Sequence, residues 1–360
     1  MTEVFQDMRM LAKYIYWLLK SLYRSTWYYQ KISNRRHAES FYRSLKQLHF
    51  TQKGASQQEK QFFFKKQLAC VEIETHSFCN RICAFCSNLR VNRLDKKQIM
   101  PESVFSKIID ELSSIGYRGI VRLHRYNEPL GLDLIFDRVY EARKQLPYAK
   151  IGFYSNGDYV TKEKLEQLEK YGLDFIMICR YLSFSGNRRG QYLYAKKQCE
   201  NYIEKIGLKA IEAYNYDNDI ARYVMPLGRM NVSVFVRDFQ KCGVDRGGVL
   251  KDFSKTMRVS PCASPFKQLS IDWTGDVLSC CNLRGDIEAH KPYILGNAAT
   301  ETIQNIFYSE TANKLRGQLA GFGEKYGPCG TCGFQVFKYD TRVDNMMRGT
   351  LNNAGFYSDK

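Results

Sequence analysis

The chain has 360 residues, 44% of them hydrophobic and 25% charged, with no repeat and no low-complexity tract. This excludes a fibrous or disordered protein and leaves room for one large α/β domain with smaller attachments. Its departures from ordinary composition are a formal charge of +17 and 12 cysteines. So many cysteines suit a secreted disulfide framework only in a short chain behind a signal peptide. The apolar run MLAKYIYWLLKSLY is interrupted by Lys13 and Lys20 and lacks a small-residue cleavage site, so neither export nor a membrane span is expected. A reducing cytoplasm, where clustered thiols serve metals, fits better.

Residues 1–66 hold 13 Lys and Arg against 4 Asp and Glu, mixed with 14 aromatic residues. Val4, Met8, Leu11, Ile15, Leu18 and Leu22 recur at helical spacing and predict an amphipathic helix in this basic extension. It reads either as a solvated helical cap or as an arm for anionic lipid, nucleic acid or a phosphorylated substrate. A peripheral membrane contact through these residues is one such use.

From residue 70, β-rich runs alternate with longer amphipathic ones, the pattern of βα units around a parallel sheet. Strands are predicted over 70–75, 119–124, 150–155, 174–179, 208–214 and 231–236. Helices are predicted over 101–116, 132–146, 161–172 and 190–207. Six strands with interposed helices predict a partial (β/α)6 TIM-like barrel over 67–240. The pattern lapses over 239–258, a connection into a small α+β section over 241–345. That section has a hairpin, KQLSIDWTGDVLSCC, turning at Thr274-Gly275, then a helix over 301–320, then CGTC, with a tail over 346–360.

The stretch VEIETHSFCNRICAFCSN puts Cys79, Cys83 and Cys86 in one loop directly after the first strand, where active-site residues of parallel barrels gather. Three soft ligands there suit a zinc ion, a disulfide framework or an iron–sulfur cluster with one open corner. The Cys-x3-Cys-x2-Cys spacing, with Phe85 before the last cysteine, resembles the signature of the radical S-adenosylmethionine superfamily. Three thiolates leave one iron of a cubane free to chelate a methionyl group. Structural zinc sites usually close four ligands in short-spaced pairs, a poor match to this triplet even with His76 nearby. Further motifs agree in order: Glu128-Pro129 resembles the family's GEP turn, although Tyr126 and Asn127 replace its glycines. YSNGD resembles the TNG turn, placing Ser155 and Asn156 at the cofactor. Arg180 and Ser183 or Ser185 fall where a ribose or carboxylate contact is expected. The resemblance implies S-adenosylmethionine as cofactor, its reductive cleavage to a 5′-deoxyadenosyl radical, and an electron donor of flavodoxin or ferredoxin type.

Downstream, Cys262, Cys280 and the pair Cys329-x2-Cys332 resemble the SPASM/twitch extension of such enzymes, in the shortened form with one auxiliary [4Fe-4S] cluster, since no cysteine follows Cys332. The same four cysteines also suit a zinc ribbon. Cys281 is an alternative ligand, a buried apolar residue or a hydrogen-atom donor to a substrate radical. GVDRGG (243–248) resembles a connection found in twitch enzymes that handle aminocyclitols and sugars. Arg237, Arg180 and Asp238 are candidate substrate contacts. The charge favours a neutral or anionic substrate, and nucleic acid is not expected. The first expectation is dehydrogenation or epimerisation of a sugar, cyclitol or nucleotide-sugar-like molecule. The alternatives are modification of a ribosomally made peptide and, in another class, a noncatalytic zinc-bearing RNA-binding protein.

Overall fold

A computed structural model describes residues 41, 55–95, 97–181, 188–212, 219–253, 257–334, 336, 341, 344, 345 and 348. The predicted N-terminal amphipathic helix, Ser183, Ser185 and most of the tail lie outside the described residues.

Helix α1 (Gln57–Gln67) opens on a capping box: Ser56 Oγ accepts from the Glu59 amide, and the Glu59 carboxylate accepts from the Ser56 amide at 2.8 Å. It leads into β1 (Cys70–Ile73). Then follow α2 (Glu102–Ser114), β2 (Ile120–Arg122), α3 (Leu134–Gln145), β3 (Lys150–Ser155), α4 (Lys162–Lys170), β4 (Phe175–Cys179) and α5 (Arg188–Lys205). After α5 come β5 (Ile211–Glu212), β6 (Asp219–Leu227), β7 (Met230–Arg237) and the single turn α6 (Phe239–Cys242). The C-terminal section adds α7 (Ser264–Lys267), β8 (Gln268–Ile271), β9 (Asp276–Leu278), β10 (Ile294–Asn297), α8 (Ile303–Phe307) and α9 (Glu310–Ala320).

One ten-stranded sheet runs β10-β9-β8-β1-β2-β3-β4-β7-β6-β5. Its middle six strands, β8 to β7 in that order, are mutually parallel and form the partial barrel. The fold class is as expected, but the strand set is not. Among its described residues, the run over 208–214 supplies the short edge strand β5, antiparallel to β6. The place beside β4 belongs to β7, which returns from β6 through a tight hairpin, Leu227 opposite Met230. Gly228 makes that turn at φ +53, where a Cβ would strike the Glu169 carboxylate. The sixth parallel strand is β8, paired with β1 in register Val71 to Leu269. The predicted β8–β9 hairpin therefore forms at Thr274-Gly275 and also completes the barrel sheet.

Period-two alternation divides the strands between core and lumen. Val71, Val121, Ile151, Phe153, Ile176, Ile178, Val232 and Val234 are fully buried in one core with Phe105, Ile108, Ile135, Val139 and Leu165 of the helices. The alternate residues Glu72, Arg122 and Tyr154 line a cavity instead. Among the described residues no helix is long and apolar enough to cross a membrane.

Candidate active site

The cavity measures about 620 Å³, within the usual range of small-molecule and cofactor sites. Cys79, Cys83, Phe85, Cys86, Glu128, Ser155, Asn156, Arg237 and Cys281, widely spaced in sequence, all line it. The triplet loop is tied down at both ends. The Cys79 amide donates to the Arg93 carbonyl at 3.2 Å and the Cys86 amide to the Cys83 carbonyl at 3.0 Å. Asn80 donates to Asp158 and accepts from Asn156, both at 2.8 Å, and Arg81 pairs with Asp158. Burial pushes the Cys79 thiol up to about 12 and that of Cys83 to about 11. Phe85 stacks on Phe239 with centroids 3.9 Å apart and planes within 7°.

Glu128 is buried and accepts from Ser155 Oγ (2.8 Å), the Asn156 amide (2.7 Å) and the Leu130 amide (3.3 Å). Burial outweighs these bonds and raises its carboxyl to about 7. A cation placed against it would hold it ionised. Arg180 stands behind this wall: its Nη1 donates to the Asn156 carbonyl at 3.1 Å and lies 3.8 Å from Asp158. Asp238 accepts from the Gln240 amide at the start of α6.

The lumen below contains residues that the sequence reading passed over. Glu72 accepts from Arg122 at 3.0 Å and from Gln268 and Ser270, each at 2.9 Å. His124 lies 4.9 Å from the Tyr154 ring; burial first, then the charges of Arg122 and Arg125, push its imidazole down to about 3, so it is neutral. Arg125 donates to the Leu283 carbonyl. The available signal was the alternation itself, since polar residues at every second position of buried parallel strands must face an interior space.

A second, small cavity is lined by Cys262, Cys280, Cys329 and Cys332. Arg258 ties its legs together by donating to the carbonyls of Ser260, Pro261, Cys332 and Phe334. Burial pushes the thiol of Cys329 up to about 12 and that of Cys332 to about 11. The vicinal cysteines line different cavities although their thiols stay within hydrogen-bonding reach of each other. Cys280 lies among Cys262 and Cys332, while Cys281 lies among Glu72, Arg122 and Arg246 and lines the first cavity. The Tyr126 hydroxyl donates to the Cys281 carbonyl at 2.7 Å.

Two links join the sites. Arg246, at φ +52, donates to the Phe85 carbonyl at 3.3 Å and to Asn282 at 3.0 Å. Arg93 bridges Glu74 (2.8 Å) and Asp286 (2.9 Å), while Arg284 binds Asp286 (2.6 Å), Ser87 (3.1 Å) and Asn88 (2.6 Å).

Residues 73–178 match the model of the radical SAM superfamily, and residues 262–333 match the iron-sulfur cluster-binding SPASM domain. The chain is a radical S-adenosylmethionine enzyme with a C-terminal SPASM auxiliary-cluster domain. It is similar to the S-adenosyl-L-methionine-dependent 2-deoxy-scyllo-inosamine dehydrogenase of Niallia circulans, at 22% identity over 275 residues, 74% of this chain and 93% of the relative. It shares its fold with the crystal structure of BtrN in complex with AdoMet and 2-DOIA, with a TM-score of 0.52 and 20% identity over 76% of this chain and 96% of that one. Streptococcus suis SuiB bound to precursor peptide SuiA is 14% identical, covering 77% of this chain and 74% of that one, with a TM-score of 0.41.

Enzymes of this kind use S-adenosylmethionine and [4Fe-4S] clusters, and the donor sets present fit them. Three thiols on one loop face a cofactor-sized cavity beside a buried carboxylate. Four mostly buried thiols share the second site, where burial alone disfavours thiolates and an iron cluster would stabilise them. This second cavity is small, about 20 Å³. Among the described residues no three His, Cys, Asp or Glu side chains are drawn together around a single metal ion.

Proposed function

We propose that this enzyme dehydrogenates a polyol or sugar-like substrate in the barrel lumen. In this reading Cys79, Cys83 and Cys86 ligate the cluster at which S-adenosylmethionine binds, and Cys262, Cys280, Cys329 and Cys332 ligate an auxiliary cluster. One observation carries it: the loop thiols, the Glu128–Ser155–Asn156 group and the polar lumen share one cavity next to a separate four-thiol site. The similarity to an inosamine dehydrogenase supports the substrate class. When bound and reduced, with a flavodoxin or ferredoxin as electron source, the cofactors supply a 5′-deoxyadenosyl radical and an acceptor for the second substrate electron.

The chain's own residues supply position and proton transfer. Glu128 offers its carboxylate to the methionyl ammonium, and Ser155 and Asn156 fix its orientation. Phe85, stacked on Phe239, forms the wall beside Cys86. Arg180 holds the Asn156 backbone, and Arg237 offers a contact to substrate in the lumen. The substrate must lose a hydrogen atom, an electron and a proton to become a ketone. A hydroxyl on a carbon that is losing its electron is acidic enough for a weak base, and the neutral imidazole of His124 is such a base on the lumen wall. Cys281 favours a second reading, epimerisation, because a thiol on the lumen can return a hydrogen atom to a substrate radical.

Carbon-deuterated polyols and sugars given to the reduced, reconstituted enzyme should yield monodeuterated 5′-deoxyadenosine and a ketone. Transfer from a peptide and from no polyol or sugar would sink the proposal. An epimer carrying solvent deuterium, lost in Cys281→Ala, would select the second reading. Changing Cys329 and Cys332 to alanine should lower bound iron by about half, on the basis of two four-iron clusters. It should spare 5′-deoxyadenosine formation and abolish the ketone; unchanged iron would count against the auxiliary site.

A further inference from the structure

The charge on the cavity wall narrows the substrate further, given the reading that a polyol occupies the lumen. Arg81, Arg122, Arg125, Arg237, Arg246 and Lys267 line the cavity, against two carboxylates, Glu72 and Glu128. Both carboxylates are committed: Glu72 to Arg122, Gln268 and Ser270, and Glu128 to Ser155 and two backbone amides. Arg81 is neutralised by Asp158. Arg246 is spent on the loops of the two cysteine sites, through Phe85 and Asn282.

Arg125 is different. It lies just beyond β2, beside the lumen residues Arg122 and His124, and its hydrogen bond goes to a neutral acceptor, the Leu283 carbonyl. Its Nε and that of Arg122 have no hydrogen-bond partner among the described residues. The acid in its electrostatic surroundings, Asp272, is committed to its own turn, where it accepts from the Thr274 amide and hydroxyl and from the Asp276 amide. Burying such charge is costly unless an acceptor meets it. The zwitterionic methionyl end of the cofactor brings an ammonium with its one carboxylate and so supplies no net anion to Arg125. An amine-bearing substrate would meet cations across the cavity.

We propose that the lumen binds its polyol substrate through an anionic substituent, a phosphate or carboxylate, with Arg125 as its principal partner. Substrate recognition here then differs in sign from what an inosamine would require.

Isothermal titration of the reconstituted, S-adenosylmethionine-loaded enzyme with inorganic phosphate, and separately with glucuronate, tests this and separates the two anions. At least one should bind, and Arg125→Gln should weaken it roughly tenfold or more, the scale of one hydrogen bond to a charged group. Arg125→Lys, which keeps the charge, should retain most of the binding and controls for a structural defect. No binding of either anion, or equal affinity for the wild type and Arg125→Gln, would overturn the proposal. Deuterium transfer separates it from the dehydrogenase reading. Transfer from glucosamine or an unsubstituted polyol with no anion binding rejects the anion site alone. Anion binding lost in Arg125→Gln, with no transfer from any sugar phosphate or uronate, upholds the site and rejects the reaction.

Discussion

Replacing Asp286 with alanine is expected to destabilise the protein by about 3–5 kcal/mol, the usual cost of leaving buried charge without its partner. Asp286 accepts from Arg93 at 2.9 Å and from Arg284 at 2.7 Å and 2.6 Å. The two guanidiniums are only 3% and 1% exposed. Arg93 would keep Glu74 and its place over the Trp273 ring, but Arg284 would keep only neutral acceptors. The loss would reach the active site, because Arg284 holds Ser87 and Asn88, the two residues after Cys86, and Asn88 in turn holds the Tyr126 carbonyl. The effect has a defined pH dependence. Burial pushes the Asp286 carboxyl up, but the bonds from Arg284 and the charge of Arg93 prevail and hold it at about 2. A depressed carboxyl stabilises the fold fully above its unfolded value, about 3.9, and the contribution disappears as pH falls from there toward 2. Urea midpoints of wild type and Asp286→Ala should therefore lie farthest apart at pH 7 and draw together as pH falls from about 4 toward 2. A constant separation across that range would show that the carboxylate charge is not what matters.

The parts of this molecule that could be read from sequence are those whose signal is local. β1, β3 and β4 are short runs of apolar or alternating residues between clear helices, and their predicted and observed bounds differ by two residues at most. The cysteine triplet lies in one loop, and Glu128, Ser155 and Asn156 follow successive strands, so chain order alone groups them. β6 was missed because DIARYVMPL carries charge and a proline and belongs to a hairpin, where one face needs no core. The separate run over 208–214 alternates convincingly, yet among its described residues two, Ile211 and Glu212, pair with β6 at the sheet edge. The pairing of β8 with β1 joins residues nearly 200 positions apart, which no local pattern encodes. The lumen residues Arg122 and His124 lie in a correctly predicted strand region, but alternation along one strand does not by itself say which of its faces meets a cavity. Arg246 lay in the connection GVDRGG, and only the folded chain shows its left-handed backbone aiming a guanidinium between the two cysteine loops. The partition of Cys280 and Cys281 between two cavities is likewise a property of the hairpin and not of spacing.

The largest functional loss is expected at the triplet. Cys79, Cys83 and Cys86 are the three thiols of one loop, and in the first cavity the other cysteines belong to strands or to the hairpin: Cys70, Cys179 and Cys281. A cluster held by three ligands has no redundancy, so removing all three should remove its iron outright while leaving the auxiliary cluster, with bound iron falling by about half. The most direct measurement is 5′-deoxyadenosine formed from S-adenosylmethionine by dithionite-reduced, anaerobically reconstituted protein, wild type against Cys79→Ala/Cys83→Ala/Cys86→Ala. Wild type should produce it and the triple variant should fall to the protein-free background with its fold and auxiliary iron intact. Undiminished 5′-deoxyadenosine from the triple variant would contradict the assignment of this cavity as the site of radical chemistry.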